Sequence, residues 1–379
     1  MNFEFTEDQL ALKEMFKDFT DKEIRPRANE IDKTGEFDRE LYQKLADLGA
    51  YGIVAPEEYG GMGLGFVELM IVMEEVCKGL GTMYNWVSGA NGVSSSAVLT
   101  FGTEKQKQMW VPGIISGQEI GAFALTEPNA GSDAYSIRTR ADLKGDKVII
   151  NGTKTFITAA SCSDRIVTIT RYYENGEEKG YAAFMVPSDS EGISFAEEYK
   201  MGLHGTPLNE VSYVDVEVPV ENMIGNVGDG MKVALDGLNE VRTSCAAFAI
   251  GLGQEAIDLA VKYSKERMQF GKRISQFQNT QFVLAECQTK IDAARLMVYR
   301  AASSLGGAGV NRTYPAMAKY YAGEVCNDVV RKCLQVFGGY GYIQEFPIER
   351  IYRDAKIAEI FDGTAEVQKM LISKAMGVK

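Results

Sequence analysis

The segment Phe123-Ala-Leu-Thr-Glu-Pro-Asn-Ala-Gly-Ser-Asp133 gathers two hydroxyls, Thr126 and Ser132, with Gly131 and exposed backbone N–H groups in one loop. Short hydroxyl side chains and N–H groups offer close-range hydrogen bonds, so such a loop suits a phosphate or the polar edge of a heteroaromatic ring. A plain loop fits the same composition. The run Gly338-Gly339-Tyr340-Gly341-Tyr342 is likewise Gly-rich, and by itself also reads as a connection between helices. Asp362, just ahead of the last helical segment, has the residue type of a helix N-cap. Other chemistries are poorly provided for. His204 is the single histidine, so Ser-His-Asp or Cys-His catalysis would hang on one residue and a His-rich metal site is impossible. In Met201-Gly-Leu-His-Gly205 it reads as a half-exposed linker residue between strands. There is no GxGxxG after a strand and no GxxxxGK[ST], so dinucleotide-fold and P-loop readings lack support.

The elements that must hold these residues change period along the chain. Thr6 and Gln9 form a capping box, and Leu12, Met15, Phe16 and Phe19 follow at helical spacing until Pro26 ends the pattern. Further helices are expected near 39–49, 66–78 and 104–115, with a turn at Gly60-Gly61-Met62-Gly63. In the middle, 147–151 and 154–158 flank Asn151-Gly152, a hairpin signal, and 166–173, 181–186 and 211–218 are further strands, with a turn at Glu174-Asn175-Gly176. Helical periodicity returns near 231–267, 280–306, 313–338 and 364–376, where Leu284, Ile291, Ala294 and Met297 form part of one apolar stripe. At roughly 100–200 residues per domain, 379 residues make two or three domains. The expected architecture is α+β: an N-terminal helical domain (1–120), a small β domain (121–230) and a C-terminal four-helix bundle (231–379).

A net charge of −12 disfavours nucleic acid and an anionic membrane surface as partners. The acidic N-terminus does not read as a signal peptide. The 25-residue uncharged run Gly79–Thr103 is too rich in Gly, Ser, Thr and Asn for a membrane span. Six scattered cysteines without a CxxC pair fit a reducing cytoplasm.

The 123–133 segment resembles the first signature of the acyl-CoA dehydrogenase family. The tail Gln335-Val-Phe-Gly-Gly-Tyr-Gly-Tyr342 with 350–368 resembles the second, and Glu266-Arg267-Met-Gln-Phe270-Gly-Lys272 with Gln278 resembles the helix-to-loop segment between them. The resemblance spans nearly the whole chain in the right order. It implies the three-domain architecture above, one non-covalent FAD per subunit, usually a homotetramer, an acyl-CoA substrate and an electron-transfer flavoprotein as partner. It places Thr126, Thr158 and Phe156 at the flavin ring and Ser132 near the pyrophosphate and the substrate. Arg267, Phe270, Gln278, Gln335 and Gly339 match contacts made to the FAD from a neighbouring subunit and its helix-to-loop segment. Thr364 and Glu366 are further FAD positions, and Arg242, Gly363 and Asn91 fall on the acyl-CoA side.

The family removes a proton from C2 of the thioester while C3 gives up a hydride to the flavin, which requires a positioned carboxylate. Most members carry Glu in a Tyr-Glu-Gly-Thr run; here the run is Phe361-Asp362-Gly363-Thr364, making Asp362 the candidate base. Its side chain is one methylene shorter, and an offset of about 1 Å costs roughly 10²-fold. The alternative base position of other relatives is Val241, and Glu240, about 100° round the helix, reads as a solvated charge. No charge in 79–103 serves a second substrate carboxylate. Asn91, near the pocket floor, hydrogen-bonds or packs, since an amide takes up no proton at neutral pH. The substrate expected is a short-chain or alicyclic acyl-CoA such as cyclohexane- or cyclohexene-carboxyl-CoA. An acyl-CoA oxidase or flavin monooxygenase, an enoyl-CoA reductase working with an electron-transfer flavoprotein, and an acyl-CoA-binding member without chemistry are the competing readings.

Overall fold

The computed structural model describes residues 4–305 and 313–378. Seven helices come first: α1 (Glu7–Phe19), α2 (Arg25–Thr34), α3 (Arg39–Asp47), α4 (Phe66–Gly79), α5 (Met83–Ser88), α6 (Ser95–Phe101) and α7 (Glu104–Ile115). The capping box forms: Thr6 Oγ1 accepts from the Gln9 N–H at 3.2 Å, and Gln9 Oε1 accepts from the Thr6 N–H at 3.0 Å. Pro26, however, does not end the helical path. Thr20–Ile24 widen into a π-helical turn, and Pro26 falls in the first turn of α2, where no intrahelical N–H donor is needed. A second wide turn, Gly89–Ser94, joins α5 to α6.

The sheet contains β1 (Gly121–Ala124), β2 (Arg140–Lys144), β3 (Lys147–Thr158), β4 (Arg165–Glu174), β5 (Glu177–Pro187), β6 (Ile193–Glu197), β7 (Leu208–Pro219) and β8 (Met223–Ile224). Its order is β6-β7-β3-β2-β4-β5-β8, with β1 alongside β4; β1 and β2 both run parallel to β4, and the other pairs are antiparallel. Asn151-Gly152 is not the expected hairpin turn. β3 continues through it as a bulge, with Ile150 opposite Val216 and Gly152 opposite Tyr213. A Cβ on Gly152 would lie 2.5 Å from Thr139 Oγ1, so glycine here serves close strand approach. The chain turns instead at Gly145-Asp146, between β2 and β3. Asn175 and Gly176 both take positive φ and close the β4–β5 hairpin as expected.

The last third comprises α8 (Gly230–Asp236), α9 (Leu238–Glu266), a short ribbon of β9 (Met268–Gln269) and β10 (Lys272–Arg273), α10 (Gln278–Leu305), α11 (Thr313–Phe337), α12 (Ile348–Ala355) and α13 (Ala365–Ala375). Residue 306, the end of one expected segment, lies outside the described residues. Helices α9, α10, α11 and α13 make the bundle. Ile291 and Ala294 are buried, with Leu284 and Met297 packed half-buried beside them. Helix α9 is the axle of the molecule: every residue from Asn239 to Gly253 is buried, between α4 on one side and α10 and α11 on the other. The segment Gly230–Glu266 contains an 18-residue stretch apolar enough to cross a membrane by length and composition, but 78% of that stretch is buried inside the protein.

Candidate active site

Asp362 sits in the turn that leads into α13. Asp362 and Gly363 are successive left-handed residues, with φ of +56° and +90°. For a non-glycine residue this conformation costs roughly 1 kcal/mol or more, so tertiary contacts hold the aspartate against its local preference. Those contacts come from α11 and α13: buried Lys319 donates from Nζ to the Gly363 carbonyl at 2.8 Å, and Gln368 donates from Nε2 to the same oxygen at 2.8 Å. Thr364, not Asp362, is the N-cap of α13; its Oγ1 accepts from the Val367 N–H at 3.4 Å. The N-cap role for Asp362 is therefore excluded.

The carboxylate points instead at α5. Tyr84 donates its hydroxyl to Asp362 Oδ2 at 2.5 Å. The tyrosine is buried, its ring 5.2 Å from Phe248 of α9 and 4.9 Å from Phe361. Burial raises the Asp362 carboxyl to about 6, against the opposing pull of the Tyr84 hydrogen bond and of the Lys319 and Arg242 charges. At neutral pH the group is mostly ionised yet basic enough to take up a proton. Tyr84 and Lys319 carry no motif and were not singled out from the sequence; the one signal was that Tyr84 is the only phenol in the uncharged run 79–103.

Helix α9 contributes Arg242, which is buried and donates from Nη1 to Asn239 Oδ1 at 3.2 Å. Val241 is buried and apolar, as expected. Glu240 is not a solvated charge. It is 7% exposed because α9 has no solvent face at this point. Burial alone pushes its carboxyl up to about 8, and among the described residues Oε1 has no hydrogen-bond partner. Asn91 lies in the wide turn after α5 and is buried; it donates from Nδ2 to the Ala50 and Val87 carbonyls at 2.8 and 2.9 Å, while Oδ1 is without a partner among the described residues. It hydrogen-bonds and packs, tying the turn to the chain after α3. His204 is half-buried in the β6–β7 connection, within hydrogen-bond reach of the Asp32 and Lys200 carbonyls.

Thr126 follows β1, and its carbonyl accepts from the Thr155 N–H at 3.0 Å, laying the signature loop on β3. Beneath it lies a buried ion pair. Lys154 Nζ donates to Glu127 Oε1 at 2.9 Å and to the Leu125 carbonyl at 2.8 Å, and Glu127 also accepts from the Arg138 and Thr139 N–H groups at 2.6 and 2.8 Å. A register shift in β3 between Lys154 and Ile157 turns Phe156 outward with φ +57°, leaving it 63% exposed, and Glu198 Oε2 accepts its N–H at 2.7 Å. Thr158 is half-buried two residues on, and Ser132 is exposed in the loop. An outward-facing ring flanked by threonines fits a planar flavin.

Arg267, Phe270, Gln278, Gln335 and Gly339 gather at the end of the bundle, where the Arg267 guanidinium lies 5.2 Å from the Tyr340 ring centre. Phe270 is 92% exposed, and Gln278, Gln335 and Gly339 are exposed. Among the described residues, no hydrogen bond or ring contact joins them to Thr126, Phe156 or Thr158. Glu366 is exposed in the first turn of α13.

The models for the acyl-CoA dehydrogenase N-terminal, middle and C-terminal domains match residues 6–118, 122–216 and 228–377. The chain is 40% identical over 370 residues to a 3-(aryl)acrylate reductase of Clostridium sporogenes, covering 97% of this chain and 98% of that one. It is 40% identical over 371 residues to caffeyl-CoA reductase-Etf complex subunit CarC of Acetobacterium woodii, again over 97% and 98%. The butyryl-CoA dehydrogenase of Megasphaera elsdenii, at 36% identity, superposes with a TM-score of 0.95 over 99% of this chain and 100% of that one. Matched in all three domains and in their order, this chain belongs to the acyl-CoA dehydrogenase family of FAD-dependent CH–CH oxidoreductases.

Proposed function

We propose that Asp362 is the base that removes the C2 proton of a compact acyl-CoA thioester, short-chain or alicyclic. The observation that carries this reading is the Tyr84–Asp362 hydrogen bond, which engages Oδ2 and so leaves Oδ1 as the oxygen that takes up the proton in this reading. The bound FAD supplies the hydride acceptor. Asp362 receives the proton on Oδ1, while the Tyr84 bond and the nearby Lys319 and Arg242 charges stabilise the ionised starting state. The shorter aspartate arm, braced between α5 and α11, favours an acyl group whose C2 approaches this wall closely. Tyr84, Phe248 and Phe361 give that wall an apolar, aromatic face suited to a small chain or ring.

An electron-transfer flavoprotein is the proposed redox partner, supported by the Acetobacterium woodii relative, which is named as part of such a complex. That relative and the one from Clostridium sporogenes are named reductases, which favours a second reading: the same site run backwards, with protonated Asp362 returning the proton to C2 of an enoyl-CoA. A homotetramer is proposed because Phe270 and its neighbours are exposed at the bundle end, and the cytoplasm because all six cysteines are unpaired. The test is anaerobic bleaching of the FAD by butyryl-CoA and by cyclohexane- and cyclohexene-carboxyl-CoA. Bleaching by at least one is expected; failure of all three, with re-oxidation of reduced enzyme by crotonyl-CoA, would move the assignment to the reductase reading.

A further inference from the structure

Among the described residues, Glu240 is the buried acidic side chain of α9 that makes no salt bridge, since buried Glu255 pairs with Arg25. Glu240 is 7% exposed, and Oε1 has no hydrogen-bond partner among the described residues. A buried carboxyl group in this condition costs stability, since a polar group taken out of water without a partner forfeits its solvation. The group faces the wide turn after α5. A Cβ built on Gly92 would meet Glu240 Oε1 at 3.7 Å, Ser88 Oγ at 3.6 Å and Val241 Cγ2 at 3.1 Å. Ser88 is one helical turn beyond Tyr84, whose hydroxyl holds Asp362. The two carboxyl groups, Asp362 and Glu240, therefore approach the same segment, Tyr84 to Gly92, at its two ends. No charged residue lies anywhere in 79–103 to pair with Glu240. Burial raises its carboxyl to about 8, so at neutral pH it is mostly protonated and able to donate a hydrogen bond.

We propose that Glu240 is a specificity-determining residue that donates a hydrogen bond to an oxygen at the far end of the acyl group, so that the substrate class is an acyl-CoA with a distal hydroxyl or carbonyl oxygen. This rests on the dehydrogenase reading above and narrows it. Tyr84, which holds Asp362, and Gly92, beside Glu240, lie eight residues apart along α5 and the wide turn after it, so the two carboxyl groups address a compact acyl group from opposite ends of that segment.

The test uses the FAD-loaded enzyme and pairs of thioesters that differ by OH against CH3: 6-hydroxyhexanoyl-CoA with heptanoyl-CoA, and 4-hydroxy- with 4-methylcyclohexanecarboxyl-CoA. Anaerobic flavin bleaching gives kcat/KM for each in the natural enzyme, E240Q and E240L. The natural enzyme is expected to favour the hydroxyl member of at least one pair by about tenfold, the worth of one neutral hydrogen bond. E240Q, which keeps a donor, retains most of that preference, and E240L reverses it toward the methyl member. Bleaching with the same hydroxyl-to-methyl ratio in the natural enzyme and E240L overturns the proposal while leaving the dehydrogenase reading intact. No bleaching by any member or by butyryl-CoA overturns both.

Discussion

Tyr84 of α5 and Asp362 of the turn before α13, 278 residues apart in the chain, meet in a hydrogen bond of 2.5 Å. The bond ties the N-terminal helical domain to the turn before α13 at the residue proposed to do the chemistry, leaving its other oxygen, Oδ1, for the proton. It also favours the ionised carboxylate, partly offsetting the burial that raises the group to about 6.

Tyr84→Phe removes that bond while keeping the ring packed on Phe248 and Phe361. Asp362 then titrates higher, so the pH midpoint of the bleaching rate moves up and the rate at pH 7 falls about tenfold, as expected for a lost hydrogen bond to a charged group. Stopped-flow absorbance across pH 5–9 checks this; an unmoved midpoint would separate Tyr84 from the base.

Lys319→Met takes away both a donor to the Gly363 carbonyl and a positive charge near Asp362. The left-handed turn keeps Gln368 as its remaining brace, so the protein is expected to fold but to bleach at least tenfold more slowly. The alkaline shift of the profile should match the direction seen in Tyr84→Phe. A profile that moves to lower pH would contradict the electrostatic role.

Glu127→Ala strips the carboxylate from buried Lys154 and frees the Arg138 and Thr139 N–H groups. Removing one partner of a buried pair costs about 3–5 kcal/mol. Burial already lowers Lys154 to about 8 with Glu127 present, and without it the amine loses its proton more readily. Destabilisation should therefore be largest near pH 6 and shrink toward pH 9. Thermal melts at both pH values and the FAD dissociation constant test this; equal losses at both would show that the ion pair does not govern the loop.

Glu240 carries a stability signature independent of substrate. Its folded-state pKa, about 8, lies above the ordinary 4.5, so the folded chain holds the proton more tightly than the unfolded chain. The associated stability is full below about pH 4.5 and is lost as pH rises through 8, by up to about 4–5 kcal/mol at 1.4 kcal/mol per unit. E240Q removes the titration, so its melting temperature should exceed that of the natural protein increasingly from pH 5 to pH 8.5. A difference constant with pH would show that the carboxyl is not buried as described.

The helical–strand–helical order was legible because it rests on local residue type and spacing, whereas the 123–133 loop and Asp362 stood out only by their resemblance to the family's motifs, residue type alone reading them as a plain loop and a helix N-cap. What escaped depended on which elements lie around a residue. Glu240 reads as exposed only if α9 has a solvent face, and α9 is covered on every side from Asn239 to Gly253. Asn151-Gly152 has the composition of a hairpin turn, but the nearness of Thr139 makes it a bulge inside β3. Pro26 reads as a stop until the π-helical turn before it places the ring at the start of α2. The Tyr84–Asp362 bond joins distant segments, which no periodicity reports.

The most direct test of the central claim is the anaerobic single-turnover bleaching rate with butyryl-CoA, measured against pH in the natural enzyme and in D362A. The account predicts a natural-enzyme rate that rises about tenfold per pH unit below a midpoint near 6 and then levels, and a D362A rate lower by about 10³-fold with that rise abolished. A D362A enzyme that bleaches at the natural rate with the same midpoint would contradict it.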